Sequence, residues 1–308
     1  MSLPNFYDPQ RVGQLYKPDT LAAVEAGRRA GFAPASDDQR KTVLLLVDAQ
    51  VDFIHEDGAL AVPGAVADTR RLIEWMYAHM ADITHIAASL DSHVPIQIFF
   101  PTWWANADGE HPDPHTAISA AQVQRGAWRP LYEPDWSMDY VRKLEEDAKK
   151  QLMIWPYHVL IGTPGHTITP ALYEAIAYHS AARNAQPQFL TKGTIPKTEH
   201  YSILEPEVKV PEHPEGTLNI DFLEMLAQHD TVYIAGQAKS HCVLETVIST
   251  MRYFRSRPEI IEKLNVLMDT TSSVAHPEID FEAMAQEAFA EFKREGLTLT
   301  TTQAALGG

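Results

Sequence analysis

The stretch Lys41-Thr-Val-Leu-Leu-Leu-Val-Asp48 constrains the fold more than any other part of the chain. It is a short, continuous aliphatic run without polar alternation, and it ends in a carboxylate. Such a run reads as a strand buried on both faces, the pattern of a parallel sheet covered by helices on each side. Asp48 then stands at the carboxyl edge of the sheet, where open α/β sheets bind their ligands.

The rest of the chain repeats this grammar. Leu72, Ile73, Met76, Met80 and Ile83 follow helical spacing across Asp68–Ile83, and His85–Ser89 reads as the next strand. Ile96–Phe100 is a third strand candidate, followed by Gln188–Leu190, Thr231–Ala235 and Asn265–Asp269. Helices are predicted near Thr20–Ala30, Met138–Lys150, Ala171–His179, Thr217–Ala227, Val243–Phe254 and Pro277–Glu295. Alternation of this kind predicts an α/β fold, a three-layer αβα sandwich with a mostly parallel, Rossmann-like central sheet. Residues 1–40 read as an N-terminal arm, and 41–308 as one domain with a long insertion at about 101–153, rich in Trp, Pro and His. Insertions of that length commonly cover sites.

Composition narrows the partners. The chain has 25 basic and 41 acidic residues, a formal net charge of -16, which repels nucleic acid and anionic membranes. No uncharged apolar run approaches the roughly 20 residues of a membrane span, and the first twenty residues lack a secretory pattern. A single cysteine excludes an intrachain disulfide and fits a reducing, cytoplasmic setting.

That cysteine, Cys242, follows the Thr231–Ala235 strand through Gly236-Gln-Ala-Lys-Ser-His241 and opens a predicted helix. A thiol so placed gains from the helix dipole and from free amides, which can also bind an oxyanion. An inert core cysteine is the plainer alternative. Asp48 could accept the thiol proton, or simply bond a loop. Lys192, just past Gln188–Leu190, could hold that carboxylate ionised, or be a solvated surface residue. Asp91-Ser-His93 together with His158 offers a facial set of metal ligands. The tract Asp108, Glu110, His111, Asp113 and His115 is acidic and histidine-rich, with His111 or His115 able to cap a site. Phe53, Trp155 and Gln237 are candidate substrate-pocket residues.

In this order, the segments resemble the nicotinamidase and isochorismatase-like cysteine hydrolase family. Leu46-Val-Asp-Ala-Gln-Val-Asp-Phe53 is similar to that family's first strand, and Gly58, Leu60, Val62, Gly64 and Ala65 to the segment after it. Lys192-Gly193 corresponds to its lysine, and Gly236, Ala238, Cys242 and Val243 to its nucleophile segment. The resemblance, over about residues 41–290, implies Asp48, Lys192 and Cys242 as the catalytic triad. It also implies a cis peptide between Gln237 and Ala238, with the Ala238 and Cys242 amides as oxyanion donors. Asp91-Ser-His93 and Trp155-Pro-Tyr-His158-Val-Leu-Ile-Gly-Thr-Pro-Gly165 resemble the metal-dependent nicotinamidases, with Val159 in place of a usual cysteine. Asp91, His93 and His158 would then hold a divalent metal, zinc first, with iron or manganese suiting the same ligands.

The implied activity is hydrolysis of nicotinamide to nicotinic acid and ammonia through a thioester, a reaction of NAD salvage, in an assembly of identical chains. A carbamoyl, ureido or other cyclic amide is the alternative substrate, and a metal-bound water the alternative nucleophile. Ser240-His241-Cys242 and Thr198–Ile203 depart from the family pattern, and bear on pocket shape.

Overall fold

A computed structural model describes residues 3–146 and 150–306. Its main sheet comprises β1 (Thr42–Val47), β2 (His85–Asp91), β3 (Gln188–Lys192), β4 (Thr231–Gly236), β5 (Leu264–Leu267) and β6 (Thr298–Thr300). The spatial order is β6-β5-β4-β1-β2-β3 and every pairing is parallel. All six residues of β1 are buried, as its unbroken aliphatic run requires.

The longer helices are α1 (Thr20–Arg29), α2 (Ala65–Ala78), α3 (Pro134–Glu146), α4 (Pro170–Arg183), α5 (Ile220–Ala227), α6 (Leu244–Tyr253) and α7 (Phe281–Arg294). Side chains alternate across β1, so Val43, Leu45 and Val47 pack with Phe222, Val247 and Phe289 of α5, α6 and α7. Leu44 and Leu46 face the opposite layer, with Leu72 and Met76 of α2 and Leu172 and Ile176 of α4. The three-layer α/β expectation holds. Residues of the first forty lie on the second layer. There Tyr16 donates to the buried Glu174 carboxylate at 2.8 Å, and the Asp19 amide donates to it at 2.7 Å. Gly27 of α1 lies so close to α4 that a Cβ would stand 2.4 Å from the Tyr178 carbonyl oxygen.

Two expectations are corrected. Ile96–Phe100 is a turn: the Phe100 amide bonds back to the Gln97 carbonyl at 2.9 Å, after a proline at 95. Ile96 is exposed, and Ile98, Phe99 and Phe100 are buried as consecutive wall residues of a third apolar cluster. The strand β6 was not marked in the sequence, where Thr298–Thr300 is short and only partly covered. The remaining elements appear within a few residues of expectation, although positions 147–149 of the helix expected near Met138–Lys150 lie outside the described residues.

Residues 101–153 supply part of that third cluster. They contribute two short ribbons, Trp104–Ala105 with Arg129–Pro130 and Ala117–Ile118 with Leu152–Met153, together with α3. Trp103, Trp104 and Tyr140 join Phe53, Phe99 and Trp155 there. Their polar edges are satisfied: the Trp104 indole donates to the Ile98 carbonyl at 2.6 Å, and the Trp103 indole to Ser137 at 2.9 Å.

His179 of α4 is buried, and its Nε2 donates to the Ile83 carbonyl at 2.9 Å. Burial pushes its pKa down to about 4, against the pull of that carbonyl, with Arg183 adding to the fall. A folded pKa below the unfolded value of about 6.5 makes the neutral ring's contribution complete above pH 6.5. That contribution is lost as pH falls towards 4. His179→Gln keeps a donor but cannot titrate, and should flatten the urea-unfolding free energy between pH 7 and 4.5 by about 2 kcal/mol. Equal slopes in both proteins would exclude His179 as the source.

Candidate active site

Register brings the site together. Val47 of β1 pairs with Gly236 of β4, and Asp91 of β2 pairs with Lys192 of β3, so four segments leave the sheet at one rim. Gly236 has φ 115, and a Cβ there would stand 2.0 Å from the Val47 carbonyl oxygen, so only glycine lets the two strand ends approach. The chain then passes through a cis Gln237–Ala238 peptide into a wide helical turn, Lys239–Val243, that carries Cys242 ahead of α6.

Lys192 is the hub. Its ammonium lies 3.0 Å from Asp48 Oδ2 and 2.9 Å from Asp91 Oδ1, and donates to the His200 carbonyl at 2.7 Å. The Cys242 sulfur is 3.7 Å away. Ser89 donates to Asp48 Oδ1 at 2.6 Å. The structure thus joins Asp48, Lys192 and Cys242, three residues from three distant segments.

The charges are interdependent. Burial raises the Asp48 carboxyl above its usual range, the Lys192 ammonium opposes this, and Asp91 adds to the rise. Burial also works against the Lys192 charge, yet Asp48 and Asp91 outweigh it and hold the ammonium well above the usual lysine value. Burial pushes the Cys242 thiol well up, Lys192 only partly countering it, so the resting sulfur is protonated.

Asp91, His93 and His158 form the second centre, with one ligand atom from each lying within 4.8 Å of the others. His93 Nδ1 donates to the Gly193 carbonyl at 3.1 Å, and His158 Nδ1 to the Pro156 carbonyl at 2.7 Å. Carbonyls only accept, so both rings carry their proton on Nδ1 and turn Nε2 inward. His93 Nε2 is buried without a hydrogen-bond partner although Asp91 Oδ2 stands 3.0 Å away, and His158 Nε2 is 4.0 Å from the same oxygen. Ligands about 2.1 Å from a shared ion have such mutual spacings. The donor set therefore fits a divalent cation. Burial and the neighbouring His93 push His158 down to about 3, keeping it neutral as a ligand must be.

A narrow cleft with a free volume of about 30 Å³ lies between the centres, lined by Phe53, Asp91, Trp155, His158, Ala238 and Cys242 among others. Phe53 and Trp155 line it. Gln237 does not: its side chain turns away, donating to Asp68 at 3.0 Å and accepting from the Ser272 amide at 3.1 Å. His111 bonds the Trp104 carbonyl and His115 packs edge-on behind Trp155, outside the lining.

Three polar lining residues carried no sequence signal strong enough to single them out. Glu199 is a buried carboxyl raised to about 7, by burial first, against the lowering effect of His93. Tyr201 accepts from the Trp155 indole at 3.0 Å. His241 pairs with Ser240 at 2.8 Å and stays neutral, burial and then Lys150 pushing it down to about 3. All three fall in the two segments that depart from the family pattern.

Known proteins bear on this geometry. No protein-family model matches the chain. It is 27% identical over 213 residues to the nicotinamidase/pyrazinamidase of Mycobacterium tuberculosis, covering 68% of this chain and 78% of that protein. A solved nicotinamidase pyrazinamidase of Acinetobacter baumanii superposes with a TM-score of 0.58 at 18% identity, over 87% of this chain and 99% of the other. The chain shares the nicotinamidase fold. The yeast nicotinamidase superposes at 0.56 and 21% identity, over 84% of this chain and 99% of the other. The pyrazinamidase of Pyrococcus horikoshii, in complex with zinc, superposes at 0.50 and 21%, over 85% and 99%. This chain thus accommodates the whole of each compact nicotinamidase fold and adds to it.

The hub can be tested directly. Lys192→Met leaves Asp48 and Asp91 buried and facing one another without their shared cation. Metal-free protein should lose about 3–5 kcal/mol of unfolding free energy at pH 7 by urea titration. Stability within 1 kcal/mol of the parent would contradict the ion-pair geometry.

Proposed function

We propose that the chain is a cysteine amidohydrolase that converts nicotinamide to nicotinic acid and ammonia. The observation that carries this reading is the contact of Lys192 with both Asp48 and Cys242, beside the Asp91, His93 and His158 set. The resemblance to nicotinamidases in sequence and in fold supports the substrate.

Because the resting sulfur is protonated, attack and proton transfer belong to one step. Asp48 takes the Cys242 proton as sulfur bonds to the carboxamide carbon. The Ala238 and Cys242 amides hold the resulting oxyanion. Collapse breaks the carbon–nitrogen bond, and the proton passes from Asp48 to the departing ammonia. Water then gives a proton to Asp48 and attacks the thioester, and the thiol recovers that proton as the acid leaves. Throughout, Lys192 lowers the cost of a charged Asp48. Phe53 and Trp155 flank the ring and exclude bulk water. Asp91, His93 and His158 would hold a divalent cation, zinc in this reading, which would supply an electrophile for the heteroaromatic nitrogen. Iron and manganese suit the same ligands.

Ammonia release from nicotinamide by the zinc-loaded protein should fall at least about 10⁴-fold in Cys242→Ala, with zinc still bound. Full turnover in that variant would sink the thiol mechanism in favour of a metal-bound water. Turnover of a carbamoyl or ureido compound in place of nicotinamide would keep the mechanism and move the substrate.

A further inference from the structure

The segment Asp48-Ala-Gln-Val-Asp52 carries three polar side chains two residues apart, and only the first belongs to the triad. Gln50 clamps the backbone of Asp91, accepting from its amide at 2.8 Å and donating to its carbonyl at 2.8 Å. Asp52 reaches the other end of the cation set. Its Oδ2 accepts the Val159 amide at 2.6 Å, next to His158, while Oδ1 accepts the Ala59 amide at 3.1 Å.

Val159 is an unusual residue to hold there. It has φ 41, in the left-handed region, which a β-branched side chain disfavours by about 1–2 kcal/mol. The whole peptide is nevertheless fixed. While Asp52 takes the amide, the Val159 carbonyl accepts from the His93 amide at 3.1 Å, and the Ile161 amide bonds the His93 carbonyl at 3.0 Å. Room for the Asp52 carboxylate exists only because residue 165 is glycine, where a Cβ would fall 2.1–2.4 Å from its carboxylate atoms.

We infer that Asp52 is a positioning residue for the cation centre, holding Val159 in its left-handed conformation so that His158 is aimed before the cation arrives. Without the Asp52 bond, Val159 relaxes to negative φ and His158 turns away. Ordering it again then draws on the binding energy of the metal. The inference rests on the cation reading above, and its test separates the two.

Zinc affinity is measured by competition with a chromogenic chelator, with thermal unfolding and the rate of Cys242 alkylation as checks on fold. Asp52→Ala should bind zinc about 10–100-fold more weakly than the parent, and Gly165→Ala, which displaces the same carboxylate sterically, should weaken it similarly. The deciding protein is Asp52→Ala combined with Val159→Gly. Glycine adopts φ 41 without penalty, so affinity should recover relative to Asp52→Ala alone. A general structural role predicts further loss in the double variant, since a buried valine has gone. Parent-like affinity in Asp52→Ala, or no recovery in the double variant, overturns the inference while leaving the cation reading intact. Absence of zinc binding by the parent overturns both.

Discussion

One ammonium, buried between two carboxylates, organises this molecule. Lys192 is 1% exposed, and such a charge is tolerated in a protein interior only when its partners are held at contact distance. Those partners sit at the ends of β1 and β2, and Lys192 ends β3. Strand register therefore does electrostatic work: a slip of one residue in any of the three would turn a charge into the apolar layers. The fully buried aliphatic run of β1 and the glycine that lets β4 lie against it keep that register.

The same ammonium links two chemistries. Through Asp48 it reaches the thiol, and through Asp91 it reaches the cation ligands. Cys242 and the Asp91, His93 and His158 set thus share a charge although Cys242 and Asp91 come from opposite sides of β1. Asp48, Gln50 and Asp52 echo this division along the chain, one residue at the thiol and two bracing the cation set. The motif is better understood as a spine for both centres than as a nucleophile's accessory.

Much of this was legible in the residues, and for physical reasons. An unbroken aliphatic strand can only be buried on both faces, so β1 announced the layered sheet and placed Asp48 at its rim. Asp48, Asp91 and Lys192 stand at strand ends, where local sequence and position in the fold coincide, and the resemblance to a known family singled them out together with Cys242, His93 and His158. Ile96–Phe100 misled because a run of apolar residues records burial, and burial in a wall looks the same as burial in a strand. Gln237 misled because adjacency to the cis peptide says nothing of where a side chain turns. Glu199, Tyr201 and His241 escaped notice because their place in the cleft comes from the packing of α3, Trp155 and Phe281 against them, contacts between segments far apart in the chain.

The cleft's small volume and its walls of Trp155, Tyr201 and Phe53 have one more consequence. Cys242 is only 7% exposed at the bottom of it. An asparagine or glutamine side chain offers the same carboxamide but drags a polypeptide behind it, whereas Cys242 lies buried among Phe53, Trp155 and Tyr201. A thiol buried among aromatic rings is in this way set apart from the amides of other chains.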